Sequence, residues 1–396
     1  MPPEPIDGAV TRDRRARIAV AALFLTNGAL FANMLPRFPE IKSDLAMSNA
    51  AYGGAVAAFS AGALMAGLTA AALIRRFQSA RVALVTTVFL AAFILVASVA
   101  PSPLVFAAAL FVAGASDAIT DVAQNVNGLR LQRNYGRSII NSLHAVWAVG
   151  AILGGLMGAA AIALHVPRPV HLGVGGVVFC AVVAVAYPYL LHGPDHDDHP
   201  SARNNGGRDV SAVVYLWLLA LVGIAVAGAT VEDAGSSWAA LYLRDSLGAP
   251  GAVAPLGYVA LVGCMFLGRM VGDRLVDRFG ERAVARAGGL ITAAGMGLAL
   301  ALPSVPGTIA GFAAAGLGVA TVIPAAMRAA DELPGLRAGT GLTMLTWLMR
   351  VGFLGAPLVV GVIADATSLR MGLLTVPAAG VTLILLAGVL SGRARS

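Results

Sequence analysis

Residues 268–280 read Gly268-Arg-Met-Val-Gly-Asp-Arg-Leu-Val-Asp-Arg-Phe-Gly280, a cluster of charges set against long apolar runs. Earlier in the chain stands Ala66-Gly-Leu-Thr-Ala-Ala-Ala-Leu-Ile-Arg-Arg-Phe-Gln78, and an offset of 202 lays Arg76-Phe77 on Arg278-Phe279. The same offset lays Pro101-Ser102 on Pro303-Ser304, Gly114 on Gly316, Gly150 on Gly352 and Leu45 on Leu247. It holds from about residue 45 to 155 without a gap. Self-similarity at a fixed spacing means that one structural unit is built twice.

The composition says what kind of unit. Hydrophobic residues make up 58% of the 396, and only 12% are charged. A soluble domain of this size would carry roughly a quarter charged residues on its surface. Apolar runs near 20 residues long recur, the length a helix needs to cross ~30 Å of hydrocarbon. We place spans at 18–36, 50–74, 82–100, 103–125, 139–163, 169–191, 211–235, 250–272, 283–302, 306–327, 339–362 and 370–391. The expected fold is an all-α polytopic membrane protein of twelve transmembrane helices in two pseudo-symmetric six-helix bundles. Its parts are a tail over 1–17, bundles over 18–191 and 211–391, a linker over 192–210 and a tail over 392–396. Six spans per unit, an even number, gives both copies the same orientation, as in transporters built from parallel repeats. Glycines inside the spans serve close helix approach.

The net charge of +7 expresses topology, not affinity for nucleic acid. With the N-terminus inside, 20 of the 27 Lys and Arg residues fall in cytoplasmic segments. Arg37, Lys42, Arg168, Arg244 and Arg370 fall in outer loops, while Arg269 and Arg350 lie within spans. This is the positive-inside bias. It places the chain as a multi-pass protein of the inner (cytoplasmic) membrane with both termini cytoplasmic. The first apolar run has no small-residue cleavage site and is expected to stay as the first span. Cys180 and Cys264 lie in apolar spans and read as small hydrophobes. The linker histidines of His192-Gly-Pro-Asp-His-Asp-Asp-His199 sit in a flexible tether, so no metal site is expected. A zinc-hydrolase HExxH pair and a phosphate-binding P-loop are both absent from the sequence, so neither a membrane enzyme nor ATP-driven pumping is supported. We expect no cofactor, a lipid environment, and a monomer that handles a small-molecule solute and protons.

The 268–280 stretch closely resembles the loop signature between the second and third helices of a half in major facilitator transporters. That resemblance implies a gating role for Gly268, Arg269, Gly272, Asp273, Asp277 and Arg278, with Asp277 pairing across to a neighbouring helix end. Arg269 is then part of the signature near the cytoplasmic helix end. The first half departs from the pattern: Arg75 aligns with Asp277 and Gln78 with Gly280. Further segments resemble bacterial permeases of the fucose–proton symporter neighbourhood. They are Leu35-Pro-Arg-Phe-Pro-Glu-Ile-Lys42, Asp121-Val-Ala-Gln-Asn125, His144-Ala-Val-Trp147, Trp238-Ala-Ala-Leu-Tyr-Leu-Arg-Asp245 and Gly352-Phe-Leu-Gly-Ala-Pro357. The resemblance implies a secondary active transporter with a sugar-like solute and proton symport. Gly150-Ala-Ile-Leu-Gly-Gly-Leu-Met-Gly158 approaches the antiporter signature of drug exporters but has Gly155 where their proline stands. A proton-antiporting exporter of drugs or metabolites is therefore the alternative.

Ionisable groups at bilayer depth cost at least ~2.5–3.5 kcal/mol on insertion scales, so each needs a purpose. Asp117, Asp121 and Asn125 recur every fourth residue and share one face of span four, a span that lines the central cavity in the superfamily. A carboxylate pair there can load and release a proton, and we nominate Asp121 and Asp117 for coupling. Glu232, read in the outer third of span seven, joins them on the resemblance. Binding candidates are Asn27, Asn33, Asn125, Asn141, His144, Trp147, Trp238 and Trp347, because amides bond hydroxyls and indole rings stack on C–H faces. Arg350 in span eleven has two readings, an internal bridge to Asp117 or Asp121 and a clamp on an anionic substrate. The aligned halves differ at Asp121/Ile323, Ala148/Arg350, Leu30/Glu232 and Arg75/Asp277.

Overall fold

The computed structural model describes residues 6–135, 139–193, 212–333, 336 and 340–390. The linker from 194 onward and the C-terminal tail lie outside the described residues, and so do the linker histidines at 196 and 199. The described residues form helices without strands, and in hydrocarbon a helix satisfies its backbone hydrogen bonds within its own segment.

Six membrane helices lie before the linker: α1 (Ile6–Met34), α2 (Asn49–Phe77), α3 (Ser79–Ser98), α4 (Pro103–Tyr135), α5 (Ile140–Ala163) and α6 (Arg168–Ala186). Six follow it: α7 (Ala212–Asp233), α8 (Leu256–Phe279), α9 (Glu281–Ala301), α10 (Val305–Asp331, with a turn at Ala320–Thr321), α11 (Thr340–Ala366) and α12 (Leu369–Val389). Eleven of these are long and apolar enough to cross a membrane. The twelfth, α8, carries Arg269, Asp273, Arg274, Asp277 and Arg278 in its second half.

Span seven is longer than its hydropathy suggested. The helix passes from α7 through five-residue π turns at Ala234–Trp238 and Tyr242–Ser246. The continuous span is Val213–Ser246, so Glu232 lies near its middle and not in an outer third.

The repeat is visible in the packing. In the first unit α1 packs on α5 and α6, and α3 on α4 and α6. In the second, α7 packs on α11 and α12, and α9 on α10 and α12. The correspondence reaches single atoms. A Cβ at Gly114 would overlap the carbonyl of Phe59, and a Cβ at Gly316 would overlap that of Leu261, the residue aligned with Phe59.

The chain divides into two compact units, Met1–Leu45 with Ala58–Asp197 and Ala46–Ala57 with Asp198–Ser396. The division we drew from sequence put residues 46–57 with the first bundle. Their grouping with the second has a physical basis. The amides of Asn49 and Ala50, the first donors of α2, each donate to a carboxylate oxygen of Asp365 at 2.8 Å. A carboxylate at a helix N-terminus satisfies orphan amides and meets the positive end of the helix dipole. Tyr52 Oη also donates to the Ser237 carbonyl at 2.7 Å.

The turn between the second and third helices of each half has one shape. Gly280 has φ 82° and ψ 154°, and Gln78 adopts φ 71° and ψ 144°, a region that only glycine enters without strain. Gln78 Oε1 accepts from the Gly193 amide at 3.3 Å, a partial compensation. Gln78→Gly is expected to raise thermal stability by about 1 kcal/mol, since relief of ~1–3 kcal/mol of strain exceeds one lost hydrogen bond. A melting temperature unchanged or lowered in the variant would show that the turn is not strained.

Candidate functional site

Several polar membrane residues of the first unit are joined through one side chain, Asn27. α1 and α5 approach closely because Gly28 lies against the Trp147 carbonyl and Gly150 against that of Leu25, leaving no room for a Cβ. This contact sets Asn27, the neighbour of Gly28, beside the Trp147 ring. Asn27 Oδ1 accepts from Trp147 Nε1 at 3.0 Å and from Gln124 Nε2 at 3.2 Å. Its own Nδ2 donates to Asp117 Oδ1 at 2.8 Å. Gln124 Nε2 also donates to Asp121 Oδ1 at 3.2 Å, and Asn125 Nδ2 donates to the same oxygen at 3.1 Å. Asn27 is thus a hub joining α1, α4 and α5.

Gln124 was not singled out from sequence, although it is fully buried. Its amide orientation is fixed by its surroundings, because both atoms facing Nε2 are acceptors. Its Oε1 is buried with no protein donor among the described residues. The missed signal was its position, three residues beyond Asp121 on the stripe that carries Asn125. The aligned positions in the second unit, Val319, Ile323, Ala326 and Met349, are apolar. The network therefore belongs to one half and is not part of the repeated scaffold.

Other nominated residues go elsewhere. His144 is exposed and meets Phe24 edge-on at 5.2 Å, and Asn141 is exposed on the same helix. Asn33 Oδ1 lies 2.8 Å from His171 Nε2. Arg37 Nε donates to His171 Nδ1 at 3.3 Å, so Nδ1 is an acceptor and Nε2–H donates to Asn33. Arg37 also donates to the Val166 carbonyl at 2.7 Å and pairs with Glu40 at 3.0 Å. Asn33 is therefore committed to an arrangement that ties the segment after α1 to α6.

In the second unit Glu232 pairs with Arg269 Nη2 at 3.4 Å, and Arg269 Nε donates to the Ala320 carbonyl at 3.3 Å. This corrects the placement of Arg269 at a helix end, since it stands mid-helix on α8 and serves a membrane carboxylate. Gly268 and Gly272 lie against Ala320 and Thr321, where α8 crosses α10. Asp273 and Asp277 are exposed and make no hydrogen bond or ion pair among the described residues. Arg278 lies over the Phe279 ring at 5.2 Å. The pairing across helix ends implied for Asp277 is made instead by Glu281 and Arg328 at 3.0 Å. Trp238 is fully buried, edge-on to Tyr52 at 5.1 Å. Trp347 is half-exposed on α11, and Arg350 lies one turn further along, partly buried. No group of three or more potential metal ligands occurs among the described residues. Cys180 and Cys264 are free thiols.

Comparison with known proteins fits this architecture. The family model described as Major Facilitator Superfamily matches residues 20–275. The uncharacterized transporter y4wD of Sinorhizobium fredii is 30% identical over 354 residues, which are 89% of this chain and 92% of that protein. Membrane protein MosC of Rhizobium meliloti is 30% identical over 380 residues, 96% of this chain and 90% of that one. Among solved structures, a point mutant of the nucleoside transporter NupG superposes with a TM-score of 0.75 at 13% identity, covering 94% of this chain and 98% of that one. A D-xylose–proton symporter superposes with a TM-score of 0.69 at 14% identity, covering 93% and 95%. At such identities the superpositions speak for the fold alone. The twelve helices in two repeats, the matching family model and the full-length relatives together make this chain a member of the Major Facilitator Superfamily.

Proposed function

We propose that this transporter moves a small polar, sugar-like solute across the inner membrane by alternating access, coupled to protons. The observation that carries the reading is the Asn27 hub, which joins two carboxyl groups, three amides and an indole in the first unit. The indole offers a face for C–H surfaces of a ring, and amides offer donors and acceptors to hydroxyls. Asp117 and Asp121 add groups that bind a proton reversibly. Such a set suits a hydroxylated solute better than an apolar drug, which would leave buried polar groups unpaired at a cost of ~1–3 kcal/mol each. In the second unit we nominate Glu232 for coupling, and Trp238, Trp347 and Arg350 for binding. Gating is assigned to the α8 signature, with Arg269 acting through its pairing with Glu232.

The test uses the purified wild-type protein. A thermal-shift screen against sugars, organic anions and cationic drugs should show stabilisation by polyhydroxylated neutral solutes. In proteoliposomes, an imposed proton gradient should then drive accumulation of the stabilising solute, with solute and protons moving in one direction. Opposed movement of solute and protons would sink the symport reading in favour of export. Stabilisation by cationic drugs alone would remove the sugar-like solute.

A further inference from the structure

The first π turn of α7 begins at a carboxyl group outside the Asn27 hub and the Glu232–Arg269 pair. Asp233 is 7% exposed. Its Oδ1 accepts from Ser237 Oγ at 2.8 Å, while Oδ2 is buried and receives no protein donor among the described residues. π turns are rare and occur frequently at functional positions. Ser237, four residues on from Asp233, lies within this turn, and the next π turn follows within a single helical turn.

The surroundings offer an anion at Asp233 little. Arg269, the cation of α8 that reaches α7, is committed to Glu232 and the Ala320 carbonyl. Tyr52 of α2 donates its hydroxyl hydrogen to the Ser237 carbonyl and not to the carboxyl group. Tyr258 of α8 is buried. Arg244, further along the same span, pairs with Asp245 at 3.5 Å. The neighbours Glu232 and Asp233 thus differ: one has a guanidinium partner, the other a single neutral hydroxyl.

Two costs decide between the forms. An ion buried without a counter-charge loses its hydration with nothing to replace it. A neutral acid whose O–H lacks an acceptor loses only one hydrogen bond, the smaller penalty. The acid is the cheaper form in this arrangement.

We propose that Asp233 is a further proton-carrying carboxyl group, separate from the Asp117–Asp121 pair and from Glu232. It binds a proton at Oδ2 in the state described and releases it when α7 exposes the turn to water. One O–H bond forms and breaks, the proton is exchanged with water, and no electron is transferred. The proposal rests on the reading of the chain as a proton-coupled transporter, but its test reads protonation directly.

Infrared spectra of the purified protein in lipid, at neutral pH in H2O and in D2O, report the C=O stretch of protonated carboxyl groups. The wild type should show a deuterium-sensitive band that disappears in Asp233→Asn and persists in Glu232→Gln and Asp121→Asn. Asp233→Glu, which keeps a carboxyl group, should shift the band and guards against misfolding of the Asn variant. A band of unchanged position and intensity in both Asp233 variants, or no such band in the wild type, would overturn the proposal. If the band behaves as stated but a proton gradient drives no solute accumulation by the wild type, the proton site stands and the coupled-transport reading fails.

Discussion

Asp121→Asn is expected to remove about 100-fold of solute accumulation at a proton gradient of roughly two pH units. Each pH unit supplies ~1.4 kcal/mol per coupled proton, a tenfold concentration ratio, so two units support ~100-fold for each proton carried. The substitution keeps the shape of the side chain. The oxygen that accepts from Gln124 and Asn125 is retained, so the helix stripe should survive and the solute should still bind. Exchange of labelled for unlabelled solute, which needs no net proton movement, should continue near the wild-type rate. Counterflow and gradient-driven uptake measured on the same vesicles separate the two effects. Unimpaired gradient-driven uptake would remove Asp121 from the coupling step and leave Asp117, held through Asn27, as the candidate in that unit.

Gly114→Ala and Gly316→Ala should each prevent recovery of folded protein. In both, the added methyl meets a backbone carbonyl, of Phe59 in one unit and of Leu261 in the other. A flexible side chain could turn aside, but a helix backbone moves only by separating the helices. The penalty should exceed the ~1–3 kcal/mol of ordinary overpacking, and lost interhelical packing adds to it in lipid. Gly263 and Gly355 are the matched controls, with nothing near an added Cβ. Alanine there should be neutral, or slightly stabilising through helix propensity. Gel-filtration profiles and thermal unfolding of the four variants give the comparison. A Gly114→Ala protein as monodisperse and stable as Gly355→Ala would show that α2 and α4 have slack at their crossing.

The scaffold was legible because a bilayer imposes a strict one-residue-at-a-time cost. Each of the twelve helices overlaps a span drawn from the sequence, and the 202-residue offset aligned Gly114 with Gly316, whose matching carbonyl contacts the structure then revealed. Charged residues in spans were equally visible, since each is costly enough to stand out. The stripe of Asp117, Asp121 and Asn125 was read from helical spacing alone, and the network is built on it.

Partner choice was not legible in the same way. Asn27 and Asp117 are 90 residues apart, and Asn33 and His171 are 138 apart; both asparagines are apolar-span amides with identical local signals. Only the crossing of α1 with α5 puts Asn27 beside Trp147, and only the approach of α6 gives Asn33 to His171. Arg269 read as lying near the end of a span closing at residue 272, but α8 runs on to Phe279 and leaves Arg269 mid-helix, paired with Glu232. A π turn adds one residue to a helical circuit without altering mean hydropathy, so no transfer scale registers it. Sequence by itself determined how many helices cross the membrane and that they come in two copies, because burial in lipid is a property of each segment. Tertiary structure alone decided which polar groups meet, because a hydrogen bond depends on the placement of two distant segments to within a few tenths of an ångström.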